Sequence, residues 1–101
     1  MVSVPVIIQE RIRNVHVLII ENMILVIFYQ HAKGRKVDIE VPLDITANEL
    51  IIGLNSGFKL KMNVSDLSGC FLKTENPIAF LHGNRTLQEY GLRNGTVIHY
   101  T

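Results

Sequence analysis

The chain is short of the residues that staple small folds or carry out chemistry. Among its 101 residues there is one cysteine, Cys70, so no intrachain disulfide can form. Small secreted domains lean on such bridges, and their absence favours a reducing compartment, here the cytoplasm. A single cysteine with no base beside it in the sequence reads as a small buried apolar side chain. Tryptophan is missing and aromatic residues make up 7% of the chain. That leaves no stacking platform beside the basic residues of the kind that grips single-stranded nucleic acid. Charge of one sign is also lacking: ten Lys and Arg face nine Asp and Glu, for a net charge of +1. That balance argues against binding to nucleic acid by bulk electrostatics. Long apolar runs are absent too. The greasiest stretch, residues 15–29, falls short of the ~20 residues of a membrane span and contains His16, Glu21 and Asn22. Residues 1–22 start apolar, but Glu10, Arg11 and Arg13 break the run and no signal-peptide pattern follows.

Catalytic groupings are equally scarce. The histidines stand at 16, 31, 82 and 99, none within three or four residues of another or of Cys70. That spacing matches no zinc site. No glycine-rich phosphate loop is present. Asp38 and Glu40 lie two apart and share one face of a strand, which a solvated surface explains better than an acid–base pair. No catalytic, cofactor-binding or metal-ligating residue is expected, and the chain reads as a non-enzyme that needs no cofactor.

What is present is 48% hydrophobic sequence in a length that suits one domain. Residues 23–30 are a β-branched and aromatic run, hence a strand. His31 to Lys36 is a polar turn with Gly34. Residues 37–41 alternate apolar and charged, as a half-buried antiparallel strand does, and Pro42 ends the ladder. Thr46 and Glu49 have capping-box spacing. Behind them Leu50, Ile51, Leu54 and Phe58 form one apolar helix face running to about Lys59. Gly53 and Gly57 weaken that helix, and their placement suits either close packing against a sheet or an early helix end. Residues 61–69 read as a loop, 70–74 and 78–81 as strands, 86–90 as at most a helical turn stopped by Gly91, and 96–101 as a final strand after the Asn94-Gly95 turn. The order is α+β, with one main helix packed on one face of a sheet.

Thr86, Leu87, Glu89, Tyr90, Leu92 and His99 resemble the closing segment of ubiquitin. Val37 to Thr46, then Asn48-Glu49-Leu50-Ile51, then Leu87, Glu89, Gly91-Leu92-Arg93-Asn94-Gly95 and Ile98, resemble the YukD/EsaB family. These are ubiquitin-like proteins of type VII (WXG100) secretion systems in Gram-positive bacteria. The resemblance implies a ubiquitin-like β-grasp with a mixed sheet of four to five strands over residues 23–101. Residues 1–22 are then an N-terminal extension, either added strands around 4–8 and 15–20 or a stretch upstream of a true start at Met23. It implies a non-conjugating accessory or regulatory protein acting by protein–protein binding, since no Gly-Gly tail follows Thr101. Protein partners in the secretion machinery are expected. Membrane insertion is not, whereas peripheral association through a membrane complex, and a homodimer, are both compatible. The alternative reading is a ubiquitin-like adaptor unrelated to secretion.

Matching the strands to ubiquitin turns Ile98, Tyr100 and Leu72 inward and leaves Phe71, Lys73, Val97 and His99 outward. These four are the candidate partner-binding patch. Lys73 stands where ubiquitin has its central aliphatic contact, so ordinary ubiquitin receptors are not expected to bind. The turn residues Lys33, Arg35 and Lys36 form a second candidate contact, suited to an acidic partner or anionic lipid head groups.

Overall fold

The computed structural model describes residues 9–10 and 22–101. Their order is β1 (Gln9–Glu10), β2 (Met23–Gln30), β3 (Arg35–Pro42), α1 (Ala47–Phe58), β4 (Leu72–Glu75), β5 (Ala79–Leu81), α2 (Leu87–Tyr90) and β6 (Val97–Tyr100). The expected strands at 4–8 and 15–20 lie outside the described residues. The sheet order is β1-β3-β2-β6-β4-β5. β2 and β6 run parallel at its centre, and every other pair is antiparallel. Five of these strands form the mixed sheet of a β-grasp. β1 adds a sixth at the edge, with Gln9 opposite Glu40 and Glu10 opposite Ile39.

Periodicity explains the layers. β2 alternates strictly, with Ile24, Val26, Phe28 and Gln30 buried and the residues between them half-buried. α1 buries Ala47, Leu50, Ile51 and Leu54. That stripe meets Val26, Phe28, Ile39, Val41, Leu72, Leu81 and Ile98 in one core, with Phe58 packed beside them. Thr46 accepts from the backbone N–H of Glu49, and the Glu49 carboxylate accepts from the N–H of Thr46, as the capping-box spacing predicts. Thr86 and Glu89 repeat the device at α2. The two caps sit side by side: Ala47 N–H donates to Arg85 O and Leu87 N–H to Ile45 O. Each helix start therefore holds the other.

Some boundaries differ from expectation. The strand predicted at 70–74 begins at Leu72. Cys70 N–H is already used, donating to Leu67 O to close a 3₁₀ turn over Leu67–Gly69. The Cys70 side chain is buried, as expected, and its thiol donates to Asn63 O. Ile78 belongs to the turn before β5 and is 86% exposed. Gly57 is not a close-packing position, because a Cβ there meets nothing within 4 Å. It sits in the last turn of α1, before Lys59 closes the helix in the left-handed conformation. Gly57→Ala is therefore expected to stabilise the fold by roughly 0.5–1 kcal/mol through helix propensity. A urea titration showing a higher midpoint at unchanged slope would bear this out.

Candidate protein-binding face

The sheet has a covered face and an open one. α1 lies over the first, and the strand residues between the core positions point away from it onto the second. Register fixes who neighbours whom on the open face. Lys36 pairs with Tyr29, Tyr29 with His99, His99 with Lys73, and Lys73 with Phe80. One row of side chains thus crosses five strands, from β3 to β5. The next row holds Asp38, Ile27, Val97 and Glu75.

Four predicted residues meet on this face as expected. Phe71 and Lys73 are exposed, His99 and Val97 are half-buried, and Ile98 and Leu72 turn inward. Tyr100 also turns inward, and its hydroxyl donates to Leu60 O. A shallow cleft of about 110 Å³ lies between Phe71, Lys73, His99 and Thr101. The basic turn does not stay together. Lys36 joins the row, and its ammonium sits 4.8 Å from the centroid of the Tyr29 ring. Arg35 pairs with Gln30, whose side chain is buried on the helix side, so alternation carries Arg35 to that side. Lys33 lies in the 3₁₀ turn His31–Lys33 and is exposed.

Three residues of the face escaped the sequence reading: Tyr29, His31 and Phe80. Phe80 stacks on Phe71 with centroids 5.5 Å apart and rings nearly parallel at 4°. Both are about half exposed. The Lys73 ammonium lies 6.0 Å from the Phe80 centroid. Alternation in β5, with Leu81 buried, would have turned Phe80 outward. His31 stacks on Tyr29 at 3.8 Å between centroids. Its Nε2 lies 2.7 Å from His99 Nδ1, a contact between residues 68 apart in sequence. No local spacing announces it. On its other side, His99 Nε2 is 3.4 Å from Glu75 Oε1. A carboxylate there calls for a proton on His99 Nε2. That leaves Nδ1 to accept from His31 Nε2–H.

His82 stands apart from this face, its carbonyl accepting from the Tyr90 hydroxyl at 2.8 Å. Among the described residues, no three His, Cys, Asp or Glu side chains converge in a way that would hold a metal ion, and no helix is long and apolar enough to cross a membrane. The open face offers cations, stacked rings and half-buried aliphatic residues, which together suit recognition of another polypeptide.

Comparison with known proteins agrees with the topology. Residues 25–99 match the family described as WXG100 protein secretion system (Wss), protein YukD. No curated protein matches the sequence. Among solved structures, a designed protein based on ubiquitin is similar at 19% identity and a TM-score of 0.56, over 77% of this chain and 85% of that one. The C-terminal ubiquitin-like domain of mouse tubulin-specific chaperone e is similar at 16% identity and a TM-score of 0.58, over 77% and 84%. The ubiquitin-like domain of an Arabidopsis thaliana protein is similar at 15% identity and a TM-score of 0.57, over 90% and 88%. At these identities the structures speak for the fold alone.

Proposed function

Since the chain belongs to the YukD family of the WXG100 protein secretion system, we propose that it is a non-conjugating accessory or regulatory component of that system in a Gram-positive cytoplasm. It acts by binding protein partners of the secretion machinery through the open face of its sheet. Residues 23–101 are the binding domain, and residues 1–22 are an extension from which Gln9–Glu10 adds an edge strand.

The observation that carries the reading is the concentration of exposed Phe71 and Phe80 beside Lys73 and His99. Two half-exposed stacked rings cost solvation in the free protein, and a partner that covers them recovers it. Lys33, Arg35 and Lys36 flank the same sheet; Lys36 shares its open face, and Arg35 turns to the other.

A pull-down from cells expressing the WXG100 substrate and the membrane ATPase of the same system tests this. The wild-type chain is expected to retain a machinery component. Phe71→Ser combined with Lys73→Glu is expected to reduce that capture at least tenfold, with the melting transition preserved because both side chains are exposed. Full capture by the folded double variant removes the open face as the binding site.

A further inference from the structure

The row Lys36–Tyr29–His99–Lys73–Phe80 has a charge pattern and a length that select among polypeptide partners. Lys36 and Lys73 are separated by three strand spacings, β3 to β2 to β6 to β4. At about 4.8 Å each, that is roughly 14 Å along the row. The rings of Tyr29 and His99 lie between them, 5.7 Å apart. An extended segment laid across the strands advances about 3.3 Å per residue, so side chains about four positions apart reach both lysines. Residues at even spacing point the same way, and the one midway falls on the two rings.

We propose that this row docks an acidic protein segment with two carboxylates bracketing an apolar residue. The inference rests on the open face being the binding surface. Charge complementarity carries it. Two ammonium groups and two imidazoles line the row, and the neighbouring acids are already engaged or set aside. Glu75 faces His99 Nε2, and Asp38 stands one row away, opposite Ile27.

Fluorescence anisotropy with a labelled peptide bearing Glu-Ser-Leu-Ser-Glu tests the proposal on the full chain. Binding is expected to weaken with added salt. Lys36→Glu with Lys73→Glu is expected to abolish it. Equal binding of the charge-reversed variant overturns the proposal. So does binding to phosphatidylglycerol vesicles with no binding to the peptide, which would make the row a lipid contact. Failure of this peptide while Phe71→Ser/Lys73→Glu still abolishes partner capture refutes the acidic preference and leaves the binding face standing. Peptide binding with capture unaffected by that double variant does the reverse.

Discussion

Phe28→Ala is expected to remove about 3–5 kcal/mol of folding free energy, the range for truncating a buried aromatic side chain. Phe28 is 0% exposed. It sits in the central strand β2, hydrogen-bonded to β3 on one side and β6 on the other. Its ring meets Phe58 at 4.9 Å between centroids, tilted by 48°. The cavity therefore opens where the sheet and the last turn of α1 meet, and strands paired on both sides of β2 leave little room for collapse into it. Domains of this size hold about 5–15 kcal/mol in all. A loss of this size would lower Tm by on the order of 15–30 °C. Thermal unfolding followed by circular dichroism measures it. Phe28→Leu keeps most of the volume and is expected to lose much less. A loss under about 1 kcal/mol for the alanine variant would mean that β2 does not carry the core.

The strand that carries Phe28 was legible in the sequence because its constraints are local. The β-branched run of β2 says strand, and period two assigns its faces once one inward residue is known. The same holds for α1, where the Thr46–Glu49 box marks the start and Leu50, Ile51 and Leu54 mark the buried side. The order of the strands in the sheet came from the resemblance instead, since no local pattern says that β6 inserts between β2 and β4. The binding face divides in the same way. Phe71, Lys73, Val97 and His99 followed from matching the strands to ubiquitin, with alternation carrying the faces along each one. Their joining to Lys36 and Tyr29 depends on the parallel pairing of β2 with β6, which is long-range. The His31–His99 contact depends on it as well, because a residue of the turn after β2 meets a residue of β6. The splitting of Lys33, Arg35 and Lys36 has the opposite origin. They are one cluster in sequence, and the pleat sends Lys36 and Arg35 to opposite faces as soon as β3 starts at Arg35.

The Gly91-Leu92-Arg93-Asn94-Gly95 segment marked this chain from the sequence, and the structure shows what holds it in place. Asn94 Oδ1 accepts from Leu25 N–H at 2.8 Å, and Gly95 N–H donates to Leu25 O at 2.9 Å. Gly95 has φ +92°, which a side chain would strain. These bonds dock the turn onto β2 and set the parallel register of β6. Thr96 locks it from beneath. It is 0% exposed, its hydroxyl donates to Asn76 O at 2.6 Å, and the same oxygen accepts from Arg93 N–H at 3.0 Å. One hydroxyl thus ties the turn before β6 to the turn between β4 and β5. Thr96→Val preserves the shape and deletes both bonds, leaving a carbonyl and an N–H short of partners. The expected cost is about 1–3 kcal/mol. Thr96→Ser keeps the hydroxyl and is expected to retain most of the stability, losing a methyl contact worth about 1 kcal/mol or less. Hydrogen exchange locates the effect. Protection should fall first at Gly95 N–H and Ile27 N–H, which donate to Leu25 O and Thr96 O across the β2–β6 junction. Because that junction also brings His99 beside Tyr29, the valine variant should weaken binding at the open face without touching any residue on it. Unchanged exchange at those two amides would show that the hydroxyl does not hold the register.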